Sequence, residues 1–104
     1  MNAQLKKGIL DMCILYTIQQ KEMYGYDIMK YMSAFFPEVD ESTFYAILRR
    51  LNKDGLTEVY YGQVSNGPPR KYYRILDQGR QVLRDSIADW QNLIAVVTQI
   101  GILP

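Results

Sequence analysis

With 104 residues, 48% of them hydrophobic, the chain has material for one domain with one modest core and is too short for two. A formal net charge of +1 would as a sum argue against nucleic acid, while no histidine, a single cysteine and no Gly-rich phosphate loop argue against an enzyme and leave no cofactor or metal to expect. No run of about 18 apolar residues occurs and the Met1 region lacks the pattern of a cleaved leader, so the chain reads as cytosolic, without a membrane partner.

Leu5, Ile9, Met12 and Tyr16, with Leu15 beside them, recur at steps of three and four and predict a first amphipathic helix over roughly residues 3–20. Cys13 falls among these apolar neighbours and reads as a reduced, buried thiol without a chemical role. A second helix is expected from Tyr24 to Phe35, because Tyr24, Ile28, Tyr31, Met32 and Phe35 share a face and Pro37 disfavours a helical Phe36.

The third helix has clearer signals: Asp40 or Ser42 to cap it, Phe44, Ile47, Leu48 and Leu51 in one stripe, and Gly55 to stop it. At about 100° per residue, Ser42, Ala46, Arg49 and Lys53 fall opposite that stripe, with Tyr45 and Arg50 on its flanks. By itself, such a face is explained as well by a solvated surface as by a binding one.

Leu56, Thr57, Val59, Tyr60, Tyr61 and Val64, then Asn66-Gly67-Pro68-Pro69, then Tyr72, Tyr73 and Ile75 predict a β-hairpin. The two prolines cannot donate ladder hydrogen bonds, so its tip should be an irregular loop, with Arg70 and Lys71 where that loop rejoins the second strand. From Asp77, as N-cap, a last helix runs towards Gly101 and carries Leu83, Ile87, Trp90, Ile94 and Val97 at steps of four and three. Val82, Leu93, Val96 and Ile100 widen this apolar surface beyond what one small domain can cover, and pairing with a second copy would remove it from water.

Charge is unevenly spread. Residues 1–40 hold Lys6, Lys7, Lys21 and Lys30 against Asp11, Glu22, Asp27, Glu38 and Asp40, a net of −1. Residues 41–75 hold Arg49, Arg50, Lys53, Arg70, Lys71 and Arg74 against Glu41, Asp54 and Glu58, a net of +3. The positive field is thus confined to the third helix and the hairpin.

Three helices, a hairpin and a terminal helix predict a mainly α fold with a small β-hairpin (α+β): a winged helix-turn-helix over residues 1–76 and a C-terminal dimerisation helix over 77–104. In that fold the third helix enters the major groove of double-stranded DNA, which places Ser42, Tyr45, Ala46, Arg49, Arg50 and Lys53 in or beside it. Arg70 and Lys71 of the wing would meet phosphate. A homodimer would set two such helices about one DNA turn apart and read an inverted repeat. The competing reading, a winged helix used as a protein-interaction module, needs an apolar outer face on the third helix, and Ser42, Ala46, Arg49 and Lys53 do not provide one.

Tyr24-Gly25-Tyr26, Ser42-Thr43-Phe44-Tyr45, Ile47-Leu48-Arg49-Arg50-Leu51, Asp54-Gly55-Leu56 and Arg70-Lys71-Tyr72-Tyr73-Arg74, in this order across nearly the whole chain, resemble the PadR family of transcriptional regulators. The resemblance implies a winged-helix dimer that represses transcription and is released by small molecules or stress signals. It adds Thr43 and Tyr72 to the DNA-binding candidates and strengthens Tyr45. Tyr24, Tyr31, Tyr60 and Tyr61 remain packing residues with hydroxyls at the surface, and Tyr73 core packing at the base of the wing.

Where the family places a Thr before the last helix, this chain has Leu76, and Asp77 is expected to take over the cap. The short C-terminal part resembles the branch with a single terminal helix, which implies dimer contacts from both the first and last helices: Leu5, Ile9, Leu83, Ile87, Trp90, Ile94 and Val97. By residue type Trp90 belongs to core or interface. The resemblance further implies a pore in which a planar aromatic effector stacks between Trp90 and its symmetry mate, with Met12, Ile87, Asp89 and Leu93 as its wall.

Overall fold

A computed structural model describes residue 6 and residues 8–62 and 67–102. Its elements in chain order are α1 (Ile9–Gln20), β1 (Met23–Tyr24), α2 (Gly25–Phe35), α3 (Glu41–Lys53), β2 (Thr57–Gly62), β3 (Arg70–Ile75) and α4 (Asp77–Ile100). The hairpin β2–β3 is antiparallel from Thr57 opposite Ile75 to Gly62 opposite Arg70, and β1 joins its other edge, giving the order β1-β3-β2. This is the expected α+β winged helix. The two-residue β1 was not foreseen, because two residues carry no periodicity; Met23 pairs with Tyr73 and Tyr24 with Tyr72.

The first helix differs from expectation at its start and in its buried face. Gly8 adopts φ 84°, a left-handed conformation that suits glycine, and interrupts the expected helix: Ile9–Gln20 follows it, Lys6 before it is helical, and the rest of the expected start lies outside the described residues. Leu10, Ile14, Leu15 and Ile18 are buried, whereas Ile9 and Met12 are half-buried and Tyr16 is exposed. Because α1 is apolar on most sides, its periodicity selects no unique inner face, and its packing against α4, β3, α2 and α3 decides the matter. Leu5 lies outside the described residues.

In α2, Ile28 and Met32 are buried as expected, and Met29 with them, but Tyr31 and Phe35 stand out of the core and meet each other edge-on at 5.1 Å. The α3 stripe behaves as its spacing requires: Phe44, Ile47, Leu48 and Leu51 are all buried. Asp40 occupies the cap position of α3 through its backbone alone, accepting from the Thr43 N–H at 3.0 Å, with no side-chain capping bond. Gly55, at φ 76°, ends the helix and lets the Leu56 N–H return to the Leu51 carbonyl at 3.0 Å.

At α4 the expected cap is displaced by one residue. The Leu76 N–H donates to the Leu56 carbonyl and its own carbonyl accepts from the Arg80 N–H, both at 3.0 Å, so Leu76 is the last extended residue. Asp77 is therefore the first helical residue, without a capping bond, and pairs with Arg80 at 2.6 Å. Gly101 stops the helix as expected, at φ 100°. Tyr73 and Ile75 of the sheet and Leu83 of α4 complete the core. Leu83 is thus used in the core of this chain, a correction to its place among the interface residues, and Ile87 packs partly against the same core. Beyond it, α4 runs clear of the core with Trp90 40%, Leu93 52%, Ile94 39% and Ile100 69% exposed. Among the described residues no helix is long and apolar enough to cross a membrane.

Candidate nucleic-acid interface

Burial of the α3 stripe turns its opposite face outward, and Ser42, Ala46, Arg49 and Lys53 are all exposed. Arg49 and Lys53 make no hydrogen bond or ion pair among the described residues, so two full positive charges stand on this face without a carboxylate. Thr43 is exposed beside them, at the edge of an open depression between α1 and α3. Tyr45 is half-buried on the flank; desolvation, then the neighbouring Tyr24 and Glu41, push its phenol above the ordinary range. Arg50, on the other flank, is not free. Its Nη2 donates to Asp11 Oδ1 of α1 at 2.7 Å, a bond that raises the guanidinium pKa further.

In the sheet, alternation places Met23, Tyr73 and Val59 in one cross-strand row and Tyr24, Tyr72 and Tyr60 in the next. Tyr73 of the first row is buried, as expected. The second row forms an outward tyrosine band, with Tyr72 stacked on Tyr60 at 5.5 Å and tilted against Tyr24 at 6.1 Å. A Cβ at Gly62 would stand 2.3 Å from the Tyr72 ring, so only glycine lets that ring lie across the strand. Tyr72 is therefore a packing residue of the wing as well as a surface one. The hydroxyl of Tyr60 donates to Glu22 Oε1 at 2.6 Å, whereas Tyr31 and Tyr61 are exposed.

Cations lie over rings on both faces of the wing. The Arg70 guanidinium lies 5.0 Å from the centroid of Tyr24 in the band, and on the other face the Lys71 ammonium lies 5.6 Å from that of Tyr73; both are exposed and neither has a carboxylate partner among the described residues. Arg74 is different: it is bound to Glu58 and lies over Tyr60, so its charge is neutralised inside the protein. Uncompensated charge thus sits on the outer face of α3 and at the start of β3. Of the hairpin tip, Val64 and Asn66 lie outside the described residues, while Gly67 has the left-handed φ of 102° that a turn there requires.

A second feature lies on the far side of α1. Met12, Tyr16, Tyr31, Phe35, Ile87 and Trp90 line an apolar groove of about 410 Å³ between α1, α2 and α4. It unites three of the proposed effector residues, Met12, Ile87 and Trp90. Asp89 and Leu93 are exposed elsewhere on α4 and do not line it. Tyr16, Tyr31 and Phe35 escaped sequence reasoning because their apolar character assigned them to the core.

Comparison with known proteins agrees with this architecture. The model of the Transcriptional regulator PadR-like family matches residues 14–85, from within α1 to the first turns of α4. The crystal structure of a PadR-like transcriptional regulator from Bacillus cereus is 36% identical, with a TM-score of 0.83 over 94% of this chain and 96% of that one. A PadR-like transcription factor from Bacteroides fragilis is 32% identical, with a TM-score of 0.80 over 95% and 96% of the two chains. An uncharacterised protein of Lysinibacillus sphaericus is 38% identical over 96 residues, 88% of this chain and 86% of the relative. With its helix-turn-helix and wing both inside the matched segment, the chain belongs to the PadR-like family of transcriptional regulators.

Proposed function

We propose that the protein controls transcription as a homodimer that binds double-stranded DNA at an inverted-repeat operator, acting as a repressor relieved by a planar aromatic effector. The observation that carries this reading is the outer face of α3, where Arg49 and Lys53 stand exposed and unpaired among the described residues. An Arg or Lys on a helix in the major groove can donate to guanine N7 and O6, and Ser42, Thr43 and Ala46 are small enough to let the helix approach. Arg70 and Lys71 reach the adjacent phosphates, and Tyr45 and Tyr72 flank that surface. Leu93, Ile94, Val97 and Ile100 of the distal α4 join two copies, with Ile9 of α1 beside them.

The test compares two sets of variants on an operator selected from random DNA. Arg49→Ala and Lys53→Ala are each expected to cost roughly 1–3 kcal/mol of operator affinity and to relax base preference. Arg70→Ala and Lys71→Ala should weaken binding to all sequences alike and flatten the slope of log K against log salt by about 0.9 per lost phosphate contact. Unchanged operator affinity in both α3 variants would remove this helix from the groove.

The effector is read most directly by fluorescence, because Trp90 is the sole tryptophan. Titration with planar aromatic compounds should change its emission, and a compound that does so should also shift operator affinity. Emission indifferent to a broad panel of such compounds would strike the effector from the proposal.

A further inference from the structure

Three cations lie on the exposed side of α3, and the protein treats one of them differently. Arg49 and Lys53 are unpaired among the described residues, whereas Arg50 Nη2 is held 2.7 Å from Asp11 Oδ1, a carboxylate 39 residues earlier on α1. No local helical spacing makes this contact; it exists only because α1 crosses α3. The side chains of Arg50 and Asp11 keep 50% and 28% of their exposure, so the pair borders solvent. Arg50 follows Arg49 by about 100° around the helix, which puts a long, flexible cation at the rim of the face assigned to the groove.

We infer that Asp11 is an internal competitor of DNA, holding Arg50 of the recognition helix against α1 so that a phosphate must displace the carboxylate to engage it. The inference rests on the DNA-binding reading above. Both the carboxylate and a DNA phosphate offer the guanidinium the same charge-assisted, planar hydrogen bonding, so the two are direct substitutes. A partly exposed ion pair is weak enough for this exchange to be close to balanced. The device also has an input. Met12, the next residue of α1, and Tyr16 line the apolar groove against α2 and α4, so whatever seats there bears on the helix that holds Arg50. Displacing α1 towards or away from α3 would then add or withhold one cation at the DNA surface.

Asp11→Asn keeps the shape of the side chain and removes its charge. In the full-length protein this variant should bind operator and random duplex about two- to fivefold more tightly, the worth of one partly exposed ion pair. The slope of log K against log salt should steepen by about 0.9, one further released counterion. Removing any negative charge favours DNA, so the decisive comparison is a cycle: in an Arg50→Ala background, Asp11→Asn should keep only that general gain, clearly smaller in affinity and slope than the gain in the wild-type background. An equal gain in both backgrounds, or weaker binding by Asp11→Asn alone, would overturn the inference. A second readout needs no variant at Asp11: the ¹⁵N resonances of the Arg50 guanidinium should move when wild-type protein binds duplex, and an unchanged signature would also overturn it. If wild-type protein bound no DNA at all, the regulator reading itself would fall, a result distinct from a failed cycle on a protein that binds.

Discussion

Ile94→Asp is expected to leave the winged helix folded while converting a dimer into a monomer that binds operator DNA poorly. Ile94 is 39% exposed on the part of α4 that has left the protomer's core, with Leu93, Val97 and Ile100 around it. Burying a whole such side chain contributes about 1.5–3 kcal/mol, so the 39% of Ile94 left exposed is worth roughly 0.6–1.2 kcal/mol; a two-fold interface counts it twice, and this loss alone should weaken the dimer about ten- to fiftyfold. A carboxylate forced into the same contact adds its desolvation. Ile87→Asp would be less informative, because Ile87 also packs on its own protomer's core and the fold would suffer with the interface. Sedimentation checks this directly, and a wild-type monomer at micromolar concentration would sink the dimer. Loss of the second recognition helix should then lower operator affinity much more than it lowers binding to random duplex.

Gly79→Ala should destabilise the domain by about 3 kcal/mol, a cost at the upper end of overpacking, and this loss should appear in chemical denaturation of the protein without DNA. A Cβ at position 79 would lie 2.1 Å from the Leu56 carbonyl oxygen and 2.8 Å from Ile75 Cγ1. That oxygen cannot retreat freely, since it accepts the Leu76 N–H that sets the start of α4. The strain therefore falls on the junction between wing and terminal helix. A variant as stable as wild type would mean that α4 can leave the sheet at another angle, and that the spacing of two recognition helices is not held there.

How much of this was legible in the chain depended on whether one face of an element is much more apolar than the other. The α3 helix is the favourable case: a single four-residue stripe, polar residues opposite and a glycine stop left one way to bury it, and the exposed Ser42, Ala46, Arg49 and Lys53 followed from the sequence. The hairpin was equally legible from its β-branched and tyrosine-rich runs and its turn residues, as was the glycine stop of α4. By contrast α1, apolar on most sides, contained no instruction to bury Leu10 and Ile14 in place of Met12 and Tyr16; its neighbours made that choice. Likewise Tyr31 and Phe35 have the hydropathy of core residues, and only the placement of α2 beside α1 and α4 makes them the wall of a groove. The cap of α4 moved from Asp77 to Leu76 because a backbone bond from the hairpin outweighs side-chain preference. The pairing of Asp11 with Arg50 was invisible for a related reason: helical periodicity reports neighbours three or four residues apart, and a contact across 39 residues exists only after α1 and α3 have packed.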